Sequence, residues 1–185
     1  MASSSSSSTH NWVYDVFPSF RGEDVRISFL SHLHLALDSK LIKVFKDNKI
    51  PRSLSIGSEL VQVIRDSKIA VVLISENYGS SSWCLNELVE IMKCKDEFGQ
   101  IVIPVFYGLN PSHVRKQTGK FGKAFENTCQ NKSKYQKKLW QKALTNVADI
   151  AGYYSGSWDN EASMIQEIAN DVLVRLKLTT TSMDF

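Results

Sequence analysis

The chain has 185 residues, 43% of them hydrophobic and 22% charged, and a formal net charge of +3 at pH 7. These values are typical of one globular domain that buries a hydrophobic core. The small net charge does not call for a nucleic-acid or membrane partner, and the longest apolar run, residues 69–74, is far shorter than the ~20 residues that span a bilayer.

The two ends of the chain are polar and frame one predicted domain over residues 12–178. Residues 3–8 are all serine, so we predict that residues 1–11 form a disordered leader. Residues 179–185 have no apolar period and are predicted to begin a linker to a following domain. The N-terminus lacks a basic region followed by an apolar stretch, and residue 2 is Ala, so we expect neither a secretory signal nor N-myristoylation.

Between these ends, apolar runs alternate with segments of helical periodicity. In chain order we predict strand 12–17, helix 24–37, strand 42–45, helix 58–67, strand 69–74, helix 83–98, strand 101–107, helix 133–150, a weak strand 152–154 and helix 161–176. Asp24 is the expected N-cap of the first helix. Apolar residues recur at every fourth position of that helix, at Val25, Phe29, Leu33 and Leu37.

This alternation predicts an α/β fold. Strands separated by helices form βαβ units with right-handed crossovers, and about five parallel strands would give a flavodoxin-like three-layer sandwich. In such sheets, ligands bind beyond the carboxyl ends of the strands, where the strand order reverses. The loops expected there are residues 18–23, 46–57 and 75–82.

The helix that begins at Trp83 is the most informative element for function. Its buried face is predicted from the spacing of Leu85, Leu88, Val89 and Met92. Glu87 lies on roughly the opposite side, one turn after Trp83, and an indole beside a first-turn carboxylate would suit the wall of a ligand pocket. The alternative is that Trp83 packs on a neighbouring loop and that Glu87 is an exposed acid favoured by the positive helix N-terminus.

The segment that joins the first strand to the first helix is a second candidate site. In residues 19–24, Gly22 permits a turn that other residues resist, and Arg21 could contact phosphate oxygens beside the free N–H groups of the helix. The alternative is an ordinary capped turn with a solvated arginine. The sequence contains no GxGxxG, GxxxxGK[ST] or GxSxG, so a Rossmann, P-loop or hydrolase assignment has no support.

The remaining polar groups predict no further site. Ser31, His32 and His34 are expected on the solvent side of the first helix, and no histidine has metal-ligand spacing with a cysteine, so no metal site is predicted. The three cysteines form no CxxC pair, which indicates reduced thiols in the cytoplasm or the nucleus. Five lysines between residues 132 and 142 are typical of a solvated helix face, so nucleic acid is not an expected partner.

Four blocks of sequence resemble plant TIR domains. They are YDVFPSFRGED (residues 14–24), SENYGSSSWCLNEL (75–88), VIPVFY (102–107) and VRKQTGKFGKAFE (114–126). The resemblance covers residues 12–178 and is closest in style to the TIR domains of TIR-NB-LRR immune receptors of the downy-mildew-resistance type. It implies a self-associating domain of plant innate immunity that cleaves NAD as its substrate and needs no cofactor.

The resemblance implies that Glu87, the Glu of WCLxEL, is the catalytic carboxylate and holds the hydroxyls of the ribose attached to nicotinamide. Cleavage of this N-glycosidic bond passes through an oxocarbenium-like state, which a nearby carboxylate stabilises. Nicotinamide leaves as a neutral molecule from a cationic pyridinium, so no strong general acid is needed and one carboxylate could suffice.

The resemblance also implies binding and self-association residues. The NAD-binding residues would be Ser19, Phe20, Arg21, Gly22, Glu23, Asp24, Arg52, Ser55, Ile56 and Trp83. Residues 47–57 correspond to the BB loop, which closes over the site in assembled protomers of the family. Ser31 and His32 match a Ser-His pair that contacts the last helix, and Gly152 marks a second contact region. The implied partners are NAD, further copies of the chain and other TIR domains, with no membrane involved.

Departures from the family pattern keep other hypotheses open. Residues 41–48 lack the usual Gly and second Asp, and Arg52 is followed by Ser53 instead of Gly, so the BB loop could be stiffer. The domain could then be a non-catalytic adaptor or decoy. A flavodoxin-like phosphoacceptor has little support because Asp15 lies inside the first strand. Formation of cyclic nucleotides from nucleic acid is permitted by the lysines but not specifically indicated.

Overall fold

The structure is a computed structural model that describes residues 10–46 and 56–181. The strands are β1 (Tyr14–Phe20), β2 (Ser67–Ile74), β3 (Ile101–Phe106) and β4 (Tyr153–Tyr154), paired in parallel in the order β1-β2-β3-β4. The helices are α1 (Gly22–Val25), α2 (Ser31–Ser39), α3 (Ser58–Arg65), α4 (Ser82–Phe98), α5 (Pro111–Lys116), α6 (Gly119–Cys129), α7 (Lys134–Ala148) and α8 (Glu161–Thr181). This parallel sheet between helices confirms the predicted flavodoxin-like α/β sandwich.

The sheet separates two hydrophobic cores, because successive side chains of a strand point to opposite faces. On one face, β2 packs with α3, α4, α6 and α7 through Ala70, Val72 and Ile74. On the other face it packs with α2 and α8 through Ile69, Val71 and Leu73. All six side chains are 0% exposed, so the continuous apolar run at residues 69–74 is a strand buried on both faces, as predicted.

The predicted strand at residues 42–45 is reduced to a single parallel bridge between Val44 and Val16. The backbone N–H of Lys43 donates to the side-chain carboxylate of Asp15 at 2.8 Å and not to a strand carbonyl, which limits the ladder. The described residues therefore form a four-stranded sheet where about five strands were expected. If the bridge is counted as the second strand, the order is the flavodoxin-like 2-1-3-4-5, and it reverses beside β1.

The first strand ends later than predicted. Residues 18–20 stay in register with residues 71–73 of β2, so β1 ends at Phe20 and not at residue 17. Because α1 begins at Gly22, the loop expected over residues 18–23 is reduced to Arg21. Ser19 is consequently a strand residue, and its side chain has a fixed direction.

The first predicted helix is interrupted by a π-helical turn (Arg26–Leu30) between α1 and α2. The buried positions were predicted correctly and are Val25, Phe29, Leu33 and Leu37, each no more than 1% exposed. A four-residue spacing drifts by ~40° per step around an ideal helix of 3.6 residues per turn. The wider π-helical turn offsets part of that drift, which keeps these side chains on the face that meets the sheet.

Two helices were missed between residues 107 and 133, where the sequence showed no long apolar period. Helix α5 starts at Pro111 after the N-cap Asn110, whose side-chain oxygen accepts from the N–H of Ser112 at 2.9 Å. Helix α6 buries Phe121 and Phe125 in the first core. Such short helices depend on caps and tertiary burial, which periodicity does not detect.

The last helix is longer than predicted. Helix α8 continues through Thr181, past the expected end at residue 176 and into the stretch expected to be linker.

No helix in the described ranges is both long and apolar enough to cross a membrane. Cys84, Cys94 and Cys129 are all buried, and none of them forms a disulfide. Burial raises the pKa of the Cys94 thiol to about 12, so this thiol stays protonated at neutral pH.

Gly152 lies where β4 joins the sheet. A Cβ atom at this position would be 2.1 Å from the carbonyl oxygen of Pro104 in β3. The pairing of Tyr153 with Val105 therefore leaves no room for a side chain at residue 152. This gives Gly152 a role inside one protomer, separate from the self-association contact that the family resemblance implies.

We expect Gly152→Ala to lower the free energy of unfolding by about 1–3 kcal/mol, because the added methyl group forces the backbone of β3 and β4 apart. Urea denaturation of dilute protein measures this change. Gly57→Ala is the matched control, since a Cβ at Gly57 meets nothing within 4 Å. Equal unfolding midpoints for wild type and Gly152→Ala would show that the strand pairing tolerates the methyl group.

Candidate functional site

The carboxyl end of β1 faces the first half of α4. Ser19 lies two residues after Phe17, so both side chains point to the face that carries α4. Helix α4 begins after the N-cap Ser81, whose hydroxyl accepts from the N–H of Cys84 at 3.2 Å. This cap fixes the first turns of α4 beside the strand ends, where the order of the sheet reverses.

The side chain of Glu87 is held at this position by donors on both of its oxygens. The Ser19 hydroxyl donates to Oε2 at 2.9 Å, and the indole Nε1–H of Trp83 donates to Oε1 at 2.6 Å. Glu87 is only 6% exposed. Because a carboxylate oxygen accepts hydrogen bonds, these two donors fix the orientation of the group from both sides.

A buried tyrosine lies behind Ser19. The hydroxyl of Tyr78 is 2.8 Å from the Ser19 hydroxyl and 3.1 Å from the carbonyl oxygen of Cys84, to which it can donate. Tyr78 is 0% exposed. Burial is the main cause that raises the pKa of Tyr78 well above its usual range, and the nearby charges of Cys84 and Glu87 act in the same direction. The phenol is therefore neutral at physiological pH.

The structure corrects the premise, common to both interpretations of the α4 pattern, that Trp83 and Glu87 lie on the side of the helix that faces away from the core. Trp83 is 7% exposed and belongs to the first hydrophobic core, so it does not lie on a solvent-facing side of the helix. Helix α4 is flanked by α3 and α7 and also contacts the sheet. Because three neighbours cover it, the side predicted to be exposed is buried as well, and Glu87 is neither a solvated acid nor remote from the core.

Three further predicted NAD-binding residues, Phe20, Arg21 and Gly22, follow Ser19 directly at the end of β1. Phe20 is half-buried and packs against the second core, Arg21 and Gly22 are half-buried, and Ile56 packs against the first core. The Cys84 thiol lies 3.5 Å from the carbonyl oxygen of Phe20. Two predicted contacts, Arg52 and Ser55, lie outside the described residues, as does most of the BB loop (residues 47–55), and the side chain of Glu23 is also not described.

Asp24 is not the N-cap that the sequence suggested. It lies inside α1, and its carboxylate accepts hydrogen bonds from the hydroxyl of Ser75 and from the backbone and side-chain N–H groups of Asn77, the latter two at 3.2 and 3.3 Å. These bonds join the segment after β1 to the segment after β2. Asp24 therefore stabilises the arrangement of the two strand ends at the candidate site.

Two of the predicted self-association residues, Ser31 and His32, lie in α2 on the opposite face of the sheet. Helices α2 and α8 pack against each other in the same protomer and border a groove of about 570 Å³ that His32, Leu35, Glu161 and Ile165 help to line. His32 is exposed, Leu35 is 66% exposed, and the Ser31 hydroxyl donates to the carbonyl oxygen of Ser28 at 3.0 Å. The two helices that the family resemblance implies as partners thus form one continuous surface.

His34 does not lie on the solvent side as predicted. Its ring is half-buried, and Nε2 has no hydrogen-bond partner within the described part of the chain. Burial, followed by the charge of Lys46, lowers the pKa of His34, and Asp38 acts in the opposite direction. The imidazole is therefore neutral at physiological pH and does not add charge to the neighbouring surface of α2.

Comparison with known proteins identifies a family and close relatives. The family model described as TIR domain matches residues 13–185. Disease resistance protein RPS6 of Arabidopsis thaliana is 63% identical over 182 residues, covering 98% of this chain and 16% of the relative. Probable disease resistance protein RPP1 of the same plant is 54% identical over 185 residues, covering 100% of this chain and 16% of the relative. The chain thus spans a small part of these relatives.

Two solved structures resemble the protein. One holds the TIR domains of the activated Roq1 resistosome directly recognizing the pathogen effector XopQ. It has a TM-score of 0.78 and 45% sequence identity, and the match covers 85% of this chain and 98% of that one. The other is the RPS4 and RRS1 TIR domain heterodimer, with a TM-score of 0.54, 22% identity and coverage of 86% and 95%. At that identity, the second match supports the fold alone.

We expect Trp83→Phe to destabilise the protein more than Trp140→Phe, although both remove an indole N–H from the same core. Trp83 donates to a carboxylate, whereas Trp140 donates to the side-chain amide oxygen of Asn86 at 3.0 Å. Hydrogen bonds to charged groups contribute about 1.5–3 kcal/mol and neutral ones about 1 kcal/mol. Denaturant unfolding of both variants measures the difference, and equal losses would argue against a charged acceptor at Glu87.

Proposed function

Because this chain belongs to the TIR domain family, we propose that it is an NAD nucleosidase that self-association activates in plant innate immunity. The observation that carries this proposal is the buried carboxylate of Glu87, which two donors orient beside the carboxyl end of β1. A single oriented carboxylate at this edge of a parallel sheet suits a reaction that develops one positive charge.

The proposed reaction breaks the bond between nicotinamide nitrogen and the anomeric carbon of the ribose. The bonding electron pair goes to the ring nitrogen, so nicotinamide leaves neutral and the ribose becomes an oxocarbenium-like cation. The Glu87 carboxylate stabilises that cation, and its burial strengthens the attraction because little water screens it. Water then adds to the anomeric carbon and releases one proton, which gives an ADP-ribose-type product.

The segment that follows Ser19 supports the binding side of the proposal. Phe20, Arg21 and Gly22 come directly after the residue that donates to Glu87, so a nucleotide held by this segment lies next to the carboxylate. A guanidinium such as that of Arg21 pairs with two phosphate oxygens at once. In this arrangement Trp83 acts mainly by holding Glu87, and the BB loop with Arg52, Ser55 and Ile56 would complete the site.

Self-association is the proposed switch. The TIR domains of Roq1 were solved within an activated resistosome. The continuous α2–α8 surface with its exposed His32 would serve the same purpose here, with copies of this chain or other TIR domains as partners. If the active arrangement is rare in the monomer, binding that favours this arrangement raises its population and thereby the activity.

The biological setting follows from the relatives. RPS6 and RPP1 are named as disease resistance proteins, so we place this domain in plant defence signalling. Its three buried cysteines, none of which forms a disulfide, suit a reducing compartment, which in a plant cell means the cytoplasm or the nucleus.

We expect Glu87→Gln to reduce nicotinamide release by at least ~100-fold in concentrated protein, because the neutral amide cannot stabilise the sugar cation. Mass spectrometry of NAD-derived products measures the rate. The matched control is Glu97→Gln, which makes the same change at an exposed position of α4 and should leave the rate unchanged. Equal turnover by Glu87→Gln and wild type would contradict the catalytic role of Glu87. Assembled wild-type protein that releases no nicotinamide would favour the adaptor or decoy hypothesis.

We expect His32→Ala to raise the protein concentration at half-assembly by about tenfold, which corresponds to ~1.4 kcal/mol of lost contact energy. Light scattering over a concentration series measures this shift. His113→Ala is the control, because His113 is also exposed but belongs to α5 on the other face of the sheet. Identical assembly curves for His32→Ala and wild type would exclude this helix surface from the interface.

A further inference from the structure

We infer that Tyr78 is a positioning residue that controls the carboxylate of Glu87 through the hydroxyl of Ser19. The inference deepens the proposed function, since it takes Glu87 to be the catalytic residue. The three side chains come from three different elements: Tyr78 from the turn after β2, Ser19 from β1 and Glu87 from α4. No neighbour in the chain requires them to meet.

The three groups form an unbroken line of hydrogen bonds. Oxygen–oxygen distances are 2.8 Å between Tyr78 and Ser19 and 2.9 Å between Ser19 and Oε2 of Glu87. Tyr78 and Ser19 are each 0% exposed, and Glu87 is 6% exposed. Water therefore has little access to replace a missing partner, and the polar groups depend on one another.

Counting hydrogens fixes the direction of the line. An ionised carboxylate only accepts, so the single hydroxyl hydrogen of Ser19 is committed to Glu87. The Ser19 oxygen can then accept the hydrogen of Tyr78, for which the carbonyl oxygen of Cys84 at 3.1 Å also competes, and the phenol remains protonated because burial raises its pKa. A hydroxyl that accepts a hydrogen bond becomes a stronger donor. Tyr78 thus strengthens the bond that Ser19 makes to the carboxylate.

The line can also reverse when Glu87 is protonated. The carboxyl group can then donate to Ser19, Ser19 to Tyr78, and Tyr78 to the carbonyl oxygen of Cys84 at 3.1 Å. In the reversed line Oε2 carries the proton and Oε1 still accepts from the indole N–H of Trp83, so each hydroxyl and the indole stay paired. Two titratable groups, Cys84 and Glu87, raise the pKa of Tyr78 by their proximity, and both belong to α4.

This geometry holds Glu87 from two different elements, α4 and the edge of the sheet. Trp83 lies one turn earlier on the same helix and moves with it, whereas Ser19 and Tyr78 belong to the sheet edge. The line through Ser19 therefore fixes the carboxylate relative to the segment at residues 20–24, which we propose contacts NAD. Removal of the Tyr78 hydroxyl should leave the carboxylate less firmly fixed relative to that segment. It should not create a cavity in the core, since the aromatic ring remains.

The test measures the pH at which the Glu87 carboxyl is half protonated, by carbon-13 NMR with labelled glutamate. The Glu87 signal is identified by its absence in Glu87→Gln. We expect this pH to rise by about one unit in Ser19→Ala, because a donor to the charged form is lost. It should rise by a smaller, measurable amount in Tyr78→Phe. In the double variant the rise should equal that of Ser19→Ala alone, since Tyr78 acts through Ser19.

Tyr153→Phe is the matched control. Tyr153 also donates to a carboxylate, that of Asp171 at 2.7 Å, but it lies in β4 at the far edge of the sheet. Its substitution should leave the Glu87 midpoint unchanged. Dispersed amide spectra check that each variant is folded. If Tyr78→Phe is unstable, Ser19→Ala still tests the hydrogen-bond line, because Ser19 is its middle member.

An unchanged Glu87 midpoint in Tyr78→Phe, or a double variant in which the two shifts add, would overturn the inference and leave Tyr78 as a core residue. The NMR result does not depend on NAD turnover, so it decides the inference even if the proposed function fails. If the protein cleaves NAD, the acid limb of its pH–rate profile should shift with the NMR midpoint in the same variants. A rate profile that stays fixed while the midpoint moves would contradict the proposed role of Glu87 and not the hydrogen-bond line.

Discussion

The burial of one carboxylate is the constraint on which the rest of this structure depends. A charged group that is 6% exposed is stable only if protein donors replace the water that it has lost. Ser19 and Trp83 supply such donors at 2.9 and 2.6 Å. Because one donor belongs to β1 and the other to α4, the strand and the helix must keep a fixed relative position, and the flavodoxin-like sheet provides the rigid edge on which they do so.

The proposed catalytic site and the proposed self-association surface lie on opposite faces of the sheet. The face that carries α4 holds Glu87 and the polar groups behind it, whereas the face that carries α2 and α8 offers the exposed surface around His32. The end of β1 lies between them, since the segment after Ser19 leads through α1 and a π-helical turn into α2. A change of contacts on α2 would therefore reach the strand end through directly connected backbone, which is a physical basis for activation by assembly.

The sequence predicted the fold class well because its strongest signals are local. The apolar run of β2 and the four-residue spacing of buried side chains from α1 to α2 can each be read from a short stretch of sequence, and both were confirmed. What failed depends on neighbours in space. The bridge at Val44 is short because Asp15 takes the N–H of Lys43, and Trp83 and Glu87 are buried because α3 and α7 flank α4. Tyr78 was overlooked for the same reason, because its inferred positioning role depends on contacts between β1, α4 and the turn after β2.

The central claim is that an oriented, buried carboxylate lets the assembled domain cleave NAD. The most direct measurement is a product balance by mass spectrometry on concentrated wild-type protein, with assembly monitored in the same sample by light scattering. The account predicts that nicotinamide and an ADP-ribose-type product appear in equal amounts, at a rate per protomer that rises as assembly proceeds. Intact NAD over a fully assembled sample would contradict it.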